Sequence, residues 1–204
     1  MLKDKDIREP LFDFLEESYG KIRIIEEKQI GKSRADIMMV TTDSLYGIEI
    51  KSDADTYARL ERQIKDYNRF FDYNIIAVGS KHAGSVAEHV PDWWGIITID
   101  ECCCAENDVI IPDFYILREA AKNPKREKKV KLRNQLSFLW RPELAHIQEI
   151  NNIAKYKQKS KLFVIAKIME KVDVDLLKKQ ISDELFERDY NTIAERIEEY
   201  KRKK

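Results

Sequence analysis

Glycine is scarce in this chain, at six of 204 residues, and neither of the familiar phosphate-cradling patterns, G-x-x-x-x-G-K-[ST] or G-x-G-x-x-G, occurs. That absence excludes the nucleotide-binding enzymes built on those loops. Cysteine is confined to the consecutive triplet Cys102, Cys103 and Cys104. Successive strand residues face opposite sides, so the three cannot share one metal in the C-x-x-C manner and read as strand residues in a reducing compartment. The three histidines, His82, His89 and His146, form no H-x-x-x-H pair. No apolar run approaches the ~18–20 residues of a membrane span, and the charged start MLKDKDIREP does not read as a secretory signal. The expectation is a cytoplasmic protein with no membrane partner.

What is present is charge, at 36% of residues, with a formal net of zero. The zero hides an asymmetry. Residues 1–100 carry 14 Lys and Arg against 19 Asp and Glu, whereas residues 120–170 carry 13 basic and 4 acidic side chains. A polyanionic partner is therefore compatible with the composition.

Hydrophobic periodicity gives the order of elements. Residues 6–19 place Ile7, Leu11, Phe14 and Leu15 on one helical stripe. Strands follow at 22–30, 34–40 and 45–51, the last two in hairpin spacing. Asp53 is the expected N-cap of a helix reaching Phe71 with a Leu60, Ile64, Tyr67 stripe. The run at 74–80 reads as a strand buried on both faces, and with a short helix near 83–89 and a strand at 94–100 it completes a parallel strand–helix–strand unit. Trp93 and Trp94 open that last strand and are expected to pack in the core. Residues 101–118 suit a final hairpin turning at 106–108. Beyond Pro124 glycine disappears, and helices are expected near 131–139, 143–155, 160–171, 174–188 and 192–203, with Thr192 and Glu195 resembling a capping box. The predicted fold class is an α/β sandwich over 1–120 with a helical region, basic at its start, over 121–204.

Within Tyr46–Lys51 the polar residues Glu49 and Lys51 alternate with Ile48 and Ile50. They share one strand face, with Asp36 on the neighbouring strand. A two-residue turn at 42–43 or 43–44 sets Asp36 across from Glu49 or Lys51, respectively; an odd-length loop breaks the arrangement. Two carboxylates held this close favour a cation between them, and Mg2+ (or Mn2+) suits an oxygen site. The Ile50 carbonyl, between the two side chains, is a further candidate ligand. Lys51 could then serve an attacking water and steady negative charge, the parts needed for phosphodiester hydrolysis.

Asp36, twelve residues and then Glu49-Ile50-Lys51 resembles the D…(D/E)-x-K signature of the PD-(D/E)xK nuclease superfamily. The stretch 34–100, with R-A-D-I, G-I-E-I-K-S-D, R-L-x-R-Q and W-W-G-I, is similar to small prokaryotic members related to MmcB and assigned to DNA repair. A weaker likeness runs through L-R-N-Q-L-S-F-L-W-R-P-E-L at 132–144. Ala35 stands where the superfamily's proline would be. The resemblance implies a restriction-endonuclease-like core and Mg2+-dependent cleavage of DNA, with RNA not excluded. Gln63 and Tyr67, at i and i+4 after the D/E-x-K strand, resemble the Q-x-x-x-Y element of RecB-type nucleases, which supports the active site. Related folds often place an acid on the first helix, and Glu17 is the better-placed candidate there.

Phosphate contacts are expected from Arg34, Arg59 and Arg62 around the site, and from Lys125, Arg126, Lys128 and Lys129 in the basic stretch after the core. The C-terminal helices could mediate a homodimer or hold a protein partner. The function expected from the sequence is a metal-dependent nuclease acting in repair, mobile-element or defence processes. Its rival is a non-catalytic nucleic-acid-binding or assembly protein on the same fold.

Overall fold

The computed structural model describes residues 2, 4–104, 109–124, 128–190 and 192–202. The chain divides into two compact units. The first comprises Met1–Thr41 and Leu45–Arg126, the second Thr42–Ser44 and Glu127–Lys204.

The first unit is built on one six-stranded sheet among the described residues, flanked by helices. Helix α1 (Asp4–Tyr19) leads into a meander of β1 (Arg23–Ile30), β2 (Ser33–Val40) and β3 (Leu45–Lys51). A 3-10 turn (Tyr57–Arg59) and α2 (Leu60–Phe70) return the chain to β4 (Tyr73–Gly79). Two four-residue helices, α3 (Ser80–Ala83) and α4 (Val86–His89), then lead to β5 (Gly95–Cys104) and β6 (Val109–Arg118). Spatial order follows sequence order. The pairs β1–β2, β2–β3 and β5–β6 are antiparallel, and β3–β4 and β4–β5 are parallel. Both parallel connections carry helices, as a crossover between parallel strands requires.

Side-chain alternation assigns the two faces of the central strands. Ile7, Leu11 and Leu15 of α1, one turn apart, cluster with Ile37, Met39, Ile48, Ile50, Ile75, Ala77, Ile97 and Ile99. Glu49 and Lys51 alternate with that set and so lie on the other face, where the wholly buried Tyr67 of α2 reaches Glu49. Trp94 is fully buried, packs 5.5 Å from the Tyr67 ring, and donates its indole N–H to Asn68. It is a core residue, as its place at the head of a strand suggests.

The hairpin register settles the parity question. Val40 pairs with Leu45 and Ile37 with Ile48, which places Asp36 opposite Glu49 at the next step. The even-numbered loop at 41–44 preserves the alternation that one extra residue would reverse.

Several boundaries differ from expectation. Asp53 does not cap α2, which starts at Leu60 behind the 3-10 turn. Ser52 and Asp55 instead close a local turn, with both the Ser52 N–H and hydroxyl donating to Asp55 Oδ2. Asp53 Oδ1 accepts from the Lys81 N–H at 3.1 Å, against Gly79, where a Cβ would lie 2.1 Å from that oxygen. The hairpin expected at 101–118 has β5 itself as its first arm, because pairing with β6 continues to Cys104; the turn at 106–108 lies outside the described residues. The first unit extends past residue 120 because Ala121 donates to the Trp93 carbonyl and Asn123 to the carbonyls of Asp72 and Asn68.

The second unit contains α5 (Lys128–Ser137), α6 (Arg141–Ile150), α7 (Lys161–Lys171), α8 (Val174–Phe186) and α9 (Ile193–Arg202). Ser160 and Asp173 cap α7 and α8 by accepting from N–H groups of their first turns. Leu136, Leu144, Ile147, Ile165, Ile168, Leu177 and Leu185 are buried. Among them sits Arg188, which makes two hydrogen bonds to the Glu143 carboxylate at 2.8 and 2.7 Å and a third to the Phe138 carbonyl. Its guanidinium lies 4.1 Å from the centre of the Trp140 ring. No described helix is long and apolar enough to cross a membrane.

Candidate active site

A carboxylate on a strand buried on both faces must be paired or it would take up a proton. Glu49 is 1% exposed and has three side-chain donors. Its Oε1 accepts from Lys51 Nζ at 2.6 Å and from Gln63 Nε2, and its Oε2 accepts from the Tyr67 hydroxyl at 2.7 Å. Lys51, two residues on and 7% exposed, is buried beside it. Helix α2 makes this possible by spacing Gln63 and Tyr67 one turn apart on the face turned to β3. Burial, followed by the Glu49 and Asp36 charges, holds the Tyr67 phenol well above its ordinary pKa, so it remains a donor.

Between those two residues on the helix, Asp66 anchors the opposite wall. Its Oδ2 accepts from the Lys32 N–H and the Ser33 hydroxyl, fixing the β1–β2 turn. Gly31 in that turn has φ of +58°, and a Cβ there would lie 2.6 Å from Asp66 Oδ1. Only glycine suits both demands.

Asp36 comes from the adjacent strand. Its Oδ2 accepts from the Ile50 N–H at 2.9 Å. Burial, and then the neighbouring Glu49 charge, push its pKa from 3.8 up to about 7, against the opposing effects of the Ile50 N–H, Lys51 and Arg8. Two carboxylates are thus held in proximity against their repulsion.

The first helix supplies a cation to this site. Arg8 donates to the Asp36 carbonyl at 3.3 Å, and its NH2 lies 3.9 Å from Asp36 Oδ1. Asp4, Glu26 and Glu27 hold the guanidinium in place at 2.7, 3.2 and 2.7 Å. Glu27 also pairs with Arg34 and has φ of +55° in the middle of β1. A non-glycine residue in that region costs on the order of 1–3 kcal/mol.

These groups line a polar cleft of about 420 Å³. Asp36, Glu49, Ile50, Lys51 and Gln63 are on its wall, and Arg34, Arg59 and Arg62 are exposed around it. Tyr67 lies beneath, behind Glu49. Glu17 does not join them: it is exposed in the last turn of α1, whereas the cleft is reached from the first two turns, through Asp4 and Arg8. Lys125 and Arg126 lie outside the described residues, as do the side chains of Lys128 and Lys129.

The residues present fit a hard divalent cation. The donors are all oxygen: the Asp36 and Glu49 carboxylates and the Ile50 carbonyl. Gln63 Oε1 is buried at the same place without a partner among the described residues, an acceptor left for a bound water. Among the described residues no group of three Asp, Glu, His or Cys side chains converges, so water would complete the coordination.

Arg8, Glu27 and Asp66 were not candidates from the sequence. Arg8 and Asp66 each carried one signal, a charge flanking an amphipathic stripe, but only the tertiary pairing shows what each touches.

No curated protein matches this chain. Among solved structures, that of Pyrococcus furiosus SfsA in complex with Ca2+ matches at 16% identity with a TM-score of 0.35, over 57% of this chain and 62% of that one. The matched part is thus less than two thirds of the SfsA chain, and at this score the likeness bears on neither mechanism nor ligand. The family described as bacteriophage P4 protein cII matches residues 1–204, and the protein belongs to that family.

Proposed function

We propose that this protein is a divalent-metal-dependent nuclease of the PD-(D/E)xK type that hydrolyses phosphodiester bonds of DNA. The observation that carries the reading is the convergence of Lys51, Gln63 and Tyr67 on Glu49, with Asp36 across the ladder. A surface ion-pair cluster would be exposed and of little energetic consequence. This one is buried and, among the described residues, leaves the Gln63 Oε1 acceptor unpaired.

Asp36, Glu49 and the Ile50 carbonyl would hold Mg2+ or Mn2+, which would supply Lewis-acid stabilisation of the phosphate's developing charge. Glu49 is held in orientation by its three donors. The Lys51 ammonium faces the same cleft, where it can orient an attacking water and stabilise negative charge on the phosphate. Gln63 Oε1 can accept a hydrogen bond from that water. Arg59 and Arg62, exposed and without an ion pair among the described residues, suit backbone phosphates. The family's name is that of a bacteriophage protein, which favours a mobile-element setting over general repair.

The second reading is a nucleic-acid-binding protein without catalysis. The three side-chain donors on Glu49 favour it, since a carboxylate so held can be purely structural. Incubation of linear and circular DNA with Mg2+, Mn2+ or EDTA separates the two. Metal-dependent products absent from Lys51→Ala support the enzyme. Salt-sensitive binding with no product supports the second reading.

A further inference from the structure

The cleft is not an acidic metal cage: five carboxylates and six basic side chains line it. At its centre the charges come in matched pairs. Lys51 lies against Glu49 and Arg8 beside Asp36, one cation on the outer flank of each carboxylate. Lys51 follows from the motif, but Arg8 arrives from another element and is held by a costly device.

That device is Glu27. Its left-handed backbone in the middle of a strand is unfavourable for a residue with a side chain. The register puts Glu27 beside Asp36 on the neighbouring strand, between the pairs Glu26–Ile37 and Lys28–Ala35. In this conformation its carboxylate bridges Arg8 and Arg34 at the cleft wall. Asp4 and Glu26 complete the grip on Arg8, whose side chain is only 14% exposed. A guanidinium with three carboxylate partners and a main-chain acceptor is fixed, and little of its fork remains for a phosphate.

We infer that Arg8 is a resident counter-cation of Asp36, held by Glu27, whose charge weakens the binding of a divalent cation at the Asp36–Glu49 pair. The inference rests on reading that pair as a cation site. Asp36 is held independently by the Ile50 N–H, so loss of the Arg8 charge leaves the carboxylate in place. Removing one positive charge a few ångströms from a divalent ion, across a high-dielectric gap, tightens binding on the order of tenfold. Arg8 is thereby a positioning and charge-tuning residue that sets the cation concentration at which the site fills. Glu27 acts in the opposite sense, because neutralising it leaves the cleft more positive.

The test is titration of the intact protein with Mn2+, followed by electron paramagnetic resonance, without nucleic acid. Wild type is compared with Arg8→Gln, Arg8→Lys, Glu27→Gln and the double variant Asp36→Asn/Glu49→Gln, each checked by circular dichroism. Arg8→Gln should bind about tenfold tighter, Arg8→Lys should stay near wild type, and Glu27→Gln should bind more weakly. Arg8→Gln also frees the Asp4 and Glu27 carboxylates beside the cleft, so the tightening must disappear when Asp36→Asn/Glu49→Gln is added to Arg8→Gln; tightening that survives there overturns the role of Arg8 at the Asp36–Glu49 pair. Arg8→Met, which keeps the aliphatic stem, replaces Arg8→Gln if that variant does not fold. Unchanged or weaker binding by folded Arg8→Gln or Arg8→Met overturns the role of Arg8 while leaving the cation site standing. Wild-type binding that survives in the double variant, or no saturable binding at all, overturns the cation site and the inference with it.

Discussion

Lys51 Nζ lies 2.6 Å from Glu49 Oε1, and the two residues, two apart on one strand, are both buried. A strand with a solvated polar face would carry such residues in water. Here both faces are covered, so the pair must offset its desolvation through hydrogen bonds. Gln63 and Tyr67 provide the remaining donors.

Lys51→Ala should abolish metal-dependent DNA cleavage and leave the fold intact. Glu49 keeps two of its three donors, so the stability cost should be about 1–3 kcal/mol, set by one lost partner of a buried carboxylate. Chemical denaturation gives the stability, and a cleavage time course gives the activity. Undiminished turnover in the folded variant would remove Lys51 from the chemistry.

Tyr67→Phe discriminates packing from support of the site. The ring lies against Phe71 and Trp94, and phenylalanine keeps those contacts. The variant loses only the hydroxyl, which donates to Glu49 and accepts from the Asp36 N–H. Cleavage should fall at least about tenfold, equivalent to ~1.4 kcal/mol of transition-state stabilisation, with a small change in melting temperature. Wild-type cleavage would reduce Tyr67 to a core residue.

Asp36 makes stability depend on pH in the metal-free protein. Its pKa is about 7 in the folded state against 3.8 as the ordinary value. Between those limits the folded chain binds a proton that the unfolded chain has released, so stability falls as pH rises from about 4 to about 7 and then levels. Asp36→Asn should flatten that slope and be the more stable protein at pH 8, by up to a few kcal/mol. Urea titrations in EDTA across this range check the sign. For the same reason a divalent cation should bind more tightly as pH rises through about 7, since it displaces the proton.

In the helical unit, Glu143→Ala leaves the buried Arg188 without its carboxylate. Breaking such a pair typically costs ~3–5 kcal/mol. Arg188→Met in the same background should recover part of that loss by removing the stranded charge. A double-mutant cycle of denaturation free energies measures the coupling.

The element order and the Asp36, Glu49, Lys51, Gln63, Tyr67 constellation were legible because periodicity and local spacing carry them. Alternation in Tyr46–Lys51 and an even-numbered turn put Asp36 opposite either Glu49 or Lys51, the register decides for Glu49, and helical spacing brings Gln63 and Tyr67 to the same face. The contribution of α1 was not legible. Glu17 and Arg8 both flank its apolar stripe, and only the way the helix lies across the sheet decides which end meets the cleft. Glu27 was invisible for another reason: nothing in E-E-K-Q announces a positive φ or the pairing with Arg8 and Arg34 that accompanies it. The misassigned cap at Asp53 has a similar origin. The side chain is drawn to the Lys81 N–H beside Gly79, a contact 28 residues away that local helix-start rules do not sense.

The most direct test of the central claim is one time course on linear and closed-circular DNA with Mg2+, Mn2+ or EDTA, running wild type beside Lys51→Ala and Asp36→Asn from matched preparations. Wild type should cut with either metal, with no product in EDTA and none from either variant. Cutting that persists in EDTA or in the variants would contradict that claim. So would an inert wild type that still binds DNA.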